Sequence, residues 1–383
     1  MALDLETREQ LLDMVARFVA GRLRPIEAKV AEEDAVPQDV IDEMKSLGLF
    51  GLSIPEEFGG LGLNMEEECL VGIELGRTSP AFRSVFGTNV GIGSQGLVMF
   101  GREDQKDKWL PRIASGEVIA SFCLTEPGAG SDAASVRTTA IRKGNVYVVN
   151  GTKRYITNAA KAGAFTLMAR TNPDNKGAGG ISAFFLPSDL PGITVGKPER
   201  KMGQQGAHIH DVIFENCEVP AECLIGEREG VGFKLAMQVL DRGRIHIGAV
   251  CVGVADRLVR DSVAYATERQ QFGSPISDFQ MVQAMLADSK MEAYAARCMV
   301  LETARKRDAG ENIAMEASCV KLFASEAVGR IADRNVQIHG GAGYVADYAA
   351  ERFYRDVRIF RLYEGTSQIQ QMVIAKNLIR GVR

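Results

Sequence analysis

The sequence predicts an α+β chain of three regions in order: an N-terminal helical domain over 1–117, a middle antiparallel β domain (barrel or sandwich) over 118–231, and a C-terminal four-helix bundle over 232–383. Three observations carry this expectation. Apolar residues recur at helical spacing up to about Gly116, short β-branched and aromatic runs separated by turn signals follow, and long helical periodicities return after Gly232.

In the first region Leu11, Met14, Val15, Phe18 and Val19 form one apolar face, and Val40, Ile41, Met44 and Leu47 another. Breaks at Asp34 to Pro37, Ser53 to Gly62 and Ser79 to Pro80 divide it into four to six helices. The texture changes at Val118, where V-I-A-S-F-C-L-T-E opens a stretch punctuated by R-K-G-N, Asn150-Gly151 and Pro191-Gly192. Six to eight antiparallel strands are expected, with V-Y-V-V before Asn150-Gly151 and K-R-Y-I-T after it as the clearest hairpin. In the third region Val250, Val254, Leu258, Ser262 and Tyr265 mark one helix, and Phe279 to Arg307 and Met315 to Gln337 two more. Long neighbouring helices with short loops make a bundle.

A chain of 383 residues, 46% hydrophobic and 25% charged, can bury a large ligand. Its net charge of -4 is spread without single-sign runs, so neither nucleic acid nor a membrane surface is an expected partner. The cysteines, Cys69, Cys123, Cys217, Cys223, Cys251, Cys298 and Cys319, are scattered and odd in number, and read as buried thiols in a reducing compartment. The acidic start M-A-L-D-L-E and the lack of a long apolar run point to the cytoplasm. His208 and His210 share a strand face but lack a third ligand, and His246 and His339 stand alone, so no metal is expected.

Five segments can carry chemistry. In F-C-L-T-E-P-G-A-G-S-D, Gly128, Gly130 and Ser131 allow close backbone approach to an anion such as pyrophosphate, or simply make a turn. No helix follows, since Val136 to Ile141 reads as a strand, so this is not a dinucleotide-binding βαβ fingerprint. In K-R-Y-I-T-N, Tyr155 can stack on a planar ring while Thr157 bonds its edge; a half-buried strand explains both equally well. Arg269 and Phe272 of E-R-Q-Q-F-G suit an anion and an aromatic ligand, although an arginine ending a helix also serves its dipole. Asp241 and Arg244 of L-D-R-G-R share a helix face, as an ion pair or as ligand contacts, and Gly243 between them costs about 1 kcal/mol in a helix unless it makes room for something. Finally, in Y-E-G-T-S-Q, Gly365 permits a bend, Thr366 or Ser367 caps the last helix, and Glu364 either faces back into the fold or serves the helix dipole.

Together F-C-L-T-E-P-G-A-G-S-D, Y-I-T-N, E-R-Q-Q-F-G, Q-I-H-G-G-A-G-Y and Y-E-G-T-S-Q-I-Q closely resemble the acyl-CoA dehydrogenase family, across nearly the whole chain. The resemblance implies a three-domain homotetramer, FAD as cofactor, and α,β-dehydrogenation of an acyl-CoA thioester to the trans-2-enoyl-CoA. The α-proton would go to a carboxylate, the β-hydride to flavin N5, and the electrons to an electron-transferring flavoprotein. It further implies that Phe122, Leu124, Thr125, Gly130, Ser131, Tyr155, Thr157, Thr366 and Gln368 hold the flavin, although many members carry tryptophan where Tyr155 stands. Arg269, Phe272, Gln280, Gln337, Gly340 and Gly341 would reach a flavin held mainly by a neighbouring subunit. Ser131, Asp241, Arg244, Tyr363 and Gly365 match substrate-contacting positions.

Glu364 matches the family's catalytic base, with its backbone N–H beside the enolate-like oxygen. In the isovaleryl and long-chain branches the base stands instead at the position of Gly243, so the chain resembles the short-, medium- and short-branched-chain type. The segment K-M-G-Q-Q-G-A-H-I-H departs from relatives at Gln205, Ala207 and His208. An acyl-CoA oxidase shares every one of these motifs, and a non-catalytic acyl-CoA-binding scaffold is the remote alternative.

Overall fold

The computed structural model describes residues 3–381; Met1, Ala2, Val382 and Arg383, the ends of the first and third predicted regions, lie outside the described residues. Seven α-helices precede the sheet among the described residues: α1 Leu5–Phe18, α2 Glu27–Glu33, α3 Gln38–Ser46, α4 Met65–Leu75, α5 Pro80–Val90, α6 Gln95–Phe100 and α7 Glu103–Ala114. The expectation of four to six was low because apolar periodicity carries through breaks that do not interrupt burial. Between α1 and α2 the chain passes through a π turn and a 3-10 turn containing Pro25, which has no N–H to continue the ladder. The two predicted apolar faces meet in one core, where Val15, Phe18, Val40 and Met44 pack with Phe50 and Phe82.

The middle region is one mixed sheet. Its strands are β1 Ala120–Cys123, β2 Thr139–Lys143, β3 Val146–Thr157, β4 Ala164–Arg170, β5 Ile181–Pro187, β6 Ile193–Pro198, β7 Ile209–Pro220 and β8 Leu224–Ile225. They lie in the order β6-β7-β3-β2-β4-β5-β8, with β1 also on β4. Two expectations are corrected here. Both β1 and β2 run parallel to β4, so the sheet is not wholly antiparallel; alternation shows which face a side chain takes, not the direction of its neighbour strand. Nor is there a hairpin at Asn150-Gly151. The strand continues through it, and the reversal falls at Gly144-Asn145, where Lys143 pairs with Val146 and Gly144 takes φ +60°. Asn150-Gly151 instead forms a bulge against β7, where a Cβ on Gly151 would run into Thr138.

The bundle consists of α8 Gly232–Glu268, α9 Gln280–Asp308, α10 Ala314–His339 and, beyond the short α11 Ala349–Asp356, α12 Ser367–Gly381. Val250, Val254, Leu258 and Ser262 are buried along α8, which also packs on α4 so closely that a Cβ on Gly253 would meet the backbone of Ile73. No described helix is long and apolar enough to cross a membrane. The cysteines are not all buried: helical spacing sends Ala296 and Val300 of α9 into the core and leaves Cys298 exposed, and Cys319 is half-buried.

A buried ion pair joins the loop after β1 to the sheet. Lys153 of β3, fully buried, donates to Glu126 Oε1 at 2.7 Å and to Leu124 O at 3.0 Å, while Glu126 also accepts from the N–H groups of Arg137 (2.6 Å) and Thr138 (3.0 Å). Removing one partner strands the other charge. Lys153→Met is therefore expected to cost about 3–5 kcal/mol in urea unfolding, with much of the loss recovered when Glu126→Gln is added.

Candidate active site

Glu364 lies where the chain turns into α12. It has φ +53° and Gly365 has φ +91°, two successive left-handed residues. For glutamate that conformation costs roughly 1–2 kcal/mol, and surrounding contacts hold it. The Gln370 side-chain amide donates to Glu364 O at 3.1 Å and to Gly365 O at 3.0 Å, Lys321 Nζ donates to Gly365 O at 2.6 Å, and Arg244 Nε to Glu364 O at 3.4 Å. Of the two predicted caps, Thr366 takes the role by accepting from Ile369 N at 3.3 Å, while the Ser367 hydroxyl bonds Glu326. With both carbonyls occupied, the Glu364 N–H makes no hydrogen bond within the described chain.

The Glu364 side chain points back into the fold. Its Oε2 is buried without a hydrogen-bond partner among the described residues. A Cβ on Gly243 would lie 3.0 Å from Glu364 Cδ and overlap Oε2, so the glycine inside α8 makes room for this carboxylate. Burial raises the Glu364 carboxyl above its ordinary value; Arg83, then Arg244 and Lys321, partly oppose the rise. Beside it Asp241 and Arg244 form an ion pair at 2.6 Å, with Asp241 also raised by burial against the pull of Arg244. Tyr363 packs against Phe360, and burial pushes its hydroxyl far up.

A second group of predicted residues gathers at the sheet. Phe122 and Leu124 are buried at the end of β1, and Thr125 O accepts from Arg154 N at 2.7 Å, which brings the glycine-rich turn against the end of β3. The Ser121 hydroxyl reaches Thr157 O at 2.7 Å. A bulge before Ile156 sets Tyr155 at φ +59° and leaves it 52% exposed, so Tyr155 and Thr157 both stay outside the core while Ile156 is buried. Gly128, Gly130 and Ser131 are exposed; among the described residues their N–H groups serve no internal bond, and nothing stands within 4 Å of a Cβ placed on either glycine. Two apolar side chains, an exposed aromatic ring, three hydroxyls and free amides form a donor set that fits a flavin and its pyrophosphate.

The remaining predicted residues lie elsewhere. Arg269 caps α8 roughly seven turns beyond Gly243, about 39 Å along the helix. Phe272, 96% exposed with φ +53°, tips the small hairpin between α8 and α9, and exposed Gln280 opens α9. Gln337, Gly340 and Gly341 are exposed at the end of α10, brought to the same end of the bundle by His339 stacking on Tyr265 at 4.3 Å. Gln368 is exposed on the first turn of α12.

Three residues around the site escaped the sequence reading. Lys153 has the inward parity of Tyr147 and Val149 on β3. Lys321 falls on the buried stripe Ala317, Ala324 and Val328 of α10, where a lysine at a core position was the available signal. Arg83 carries no such mark in A-F-R-S. His246, without a companion in the sequence, bonds both Glu68 and Arg83 in the fold. The departing segment 201–210 is tied to protein, with Gln204 bonded to Asp356, the Arg355 guanidinium to Met202 O and Gln205, and Gly206 and His208 to Asp34.

Comparison with known proteins agrees with this geometry. The N-terminal, middle and C-terminal domains of acyl-CoA dehydrogenases match residues 5–117, 121–217 and 230–379. An acyl-CoA dehydrogenase of Bacillus subtilis is 41% identical over 98% of this chain and 99% of its own. Butyryl-CoA dehydrogenase from Megasphaera elsdenii superposes with a TM-score of 0.94 at 35% identity, covering 99% of this chain and all of the other. An acyl-CoA dehydrogenase from Bacillus anthracis, solved with FAD, gives a TM-score of 0.91 at 35% identity over 98% of this chain and 67% of that one. The chain belongs to the acyl-CoA dehydrogenase family, and it is an FAD-dependent oxidoreductase.

Two outcomes follow from the packing. Gly243→Ala displaces the Glu364 carboxylate, and dehydrogenation is expected to fall on the order of 10²-fold, since small misplacements cost that much, while the flavin spectrum stays unchanged. Burial lowers Lys321 from 10.5 to about 8. Between those values the unfolded chain holds the extra proton, so this group makes the protein more stable as pH rises. The rise in urea midpoint from pH 8 to 10 should therefore be smaller in Lys321→Met.

Proposed function

We propose that this chain converts a short-, medium- or short-branched-chain acyl-CoA to its trans-2-enoyl-CoA, with Glu364 as the base that takes the α-proton. The observation that carries this is the buried, unpartnered Glu364 Oε2 in the space left by Gly243. A carboxylate raised by burial and held free of donors is a stronger base than one in water, and a thioester that expels the remaining solvent strengthens it further. The Glu364 N–H, unused in the chain, is free to donate to the thioester oxygen as negative charge develops there. Lys321, Gln370 and Arg244 hold the turn that presents both groups, and the Asp241–Arg244 pair and Ser131 supply polar contacts for coenzyme A.

Phe122, Leu124, Thr125, Gly130, Ser131, Tyr155 and Thr157 would hold FAD, with Thr366 and Gln368 completing the set; when bound, FAD supplies the acceptor for the β-hydride. Arg269, Phe272, Gln280, Gln337, Gly340 and Gly341 would act on the flavin of a neighbouring subunit. Their distance from Gly243 along α8 and the bare Phe272 ring support a homotetramer in which that end of the bundle is covered. Electrons would leave to an electron-transferring flavoprotein. An acyl-CoA oxidase is the rival reading, and peroxide formed in step with turnover without any acceptor would favour it.

Glu364→Gln is expected to retain FAD and bind acyl-CoA yet fail to bleach the flavin anaerobically; substantial bleaching would remove Glu364 from the mechanism. A panel of thioesters graded in length and branching, scored by kcat/KM, identifies the substrate.

A further inference from the structure

One buried chain of polar groups near Glu364 has no part in the reaction above. Glu68 of α4, fully buried, accepts from Arg242 through both carboxylate oxygens and from His246 Nδ1 at 2.7 Å. On the far side of the imidazole, Nε2 meets Arg83 Nε at 2.9 Å. An arginine Nε–H can only donate, so His246 Nε2 accepts and the proton sits on Nδ1, facing Glu68. The imidazole is therefore neutral, since a proton on Nε2 would set two donors against each other. Burial and then Arg83 both hold His246 below its ordinary value, in agreement with a neutral ring. Burial alone would raise Glu68, but Arg242 and His246 more than offset it and keep it ionised.

The chain ends beside the base. Gly243 and His246 are three residues apart on α8 and share a face, roughly 4.5 Å apart along the axis. Gly243 meets the Glu364 carboxylate and His246 meets Arg83, so α8 brings the guanidinium and the carboxylate to the same face, near enough for charge to act between them without an ion pair. The guanidinium lies over Gly87 of α5, where a Cβ would stand 2.7 Å from Arg83 Cζ. Among the described residues no carboxylate lies within 4 Å of Arg83, while Arg244 has Asp241 and Arg242 has Glu68.

We propose that His246 is a positioning residue for proton removal: as a neutral imidazole braced by Glu68, it fixes Arg83 on the face of α8 that meets Glu364 and so sets the strength of that base. The proposal rests on Glu364 being the base. The other charges acting on the carboxylate are Arg244 on α8, itself paired with Asp241, and Lys321 on α10, which has Cys251 and Glu326 beside it, with Tyr363 next in the chain; Glu68 faces Arg242, and Arg307 beyond it has Asp308 and Cys69 as neighbours. Of the charges acting on Glu364, Arg83 is the largest. Taking it away disfavours the ionised carboxylate, so the base stays protonated to higher pH but is stronger once ionised.

The test is the pH profile of kcat/KM on the holoenzyme, with the fastest thioester of the panel. Arg83→Met should move the acid limb upward by about one pH unit. His246→Leu should move it the same way, and the double variant no further than Arg83→Met alone, because the histidine acts through the arginine. His246→Gln keeps an acceptor for Arg83 and should restore the wild-type limb. A lower plateau with an unmoved limb, additive shifts, or a His246→Gln profile like that of His246→Leu would overturn the proposal. Should His246→Leu not fold, Arg83→Met and His246→Gln decide it. Glu364→Gln that still bleaches flavin would instead overturn the assignment of the base, and this proposal with it.

Discussion

A carboxylate held out of water with one oxygen unpartnered is the constraint on which the rest of the C-terminal half depends. Left alone, such a group would turn toward solvent or toward a donor. Here the turn at Glu364-Gly365 is fastened at its carbonyls by Gln370, Lys321 and Arg244, so the side chain has one place to go, the gap above Gly243. The cost is met locally by cations that face the carboxylate without bonding its buried oxygen: Arg83, Arg244 and Lys321. A direct ion pair would remove the burial effect, and water would quench it. Charge nearby with no hydrogen bond leaves the carboxylate ionisable and free.

The same logic places the helices. α8 carries Gly243 for the carboxylate, Asp241 and Arg244 beside it, and Arg242 and His246 turned toward α4. Close packing of α4 on α8 through Gly253 makes the Glu68 contacts possible at all, because a larger residue there would push α4 away. At the sheet, the Lys153–Glu126 pair does a comparable job, holding the glycine-rich turn from beneath so that its outer face, with its free amides, stays exposed.

Much of this was legible in the chain because its signals are local. Helical spacing marked Val250, Val254 and Leu258, and the run of a carboxylate, a glycine and hydroxyls marked a turn into a helix. Gly243 stood out because glycine is unfavourable inside a helix, and its neighbour proved to be Glu364. The failures share a cause as well. Asn150-Gly151 has the composition of a tight turn, but pairing with β7 keeps the strand extended across it, and the parallel pairing of β1 with β4 comes from residues far apart in sequence.

Local patterning sets the order of helices and strands, the residue types able to bind a flavin, and the carboxylate at the last turn, since each depends on neighbours a few positions away. Packing in three dimensions is what sets Glu364 against Gly243 with a free oxygen, buries Lys153 and Lys321, and joins Arg83, His246 and Glu68 into one chain. Those residues come from separate helices and strands, and burial and charge act through distance in space, which residue spacing does not record.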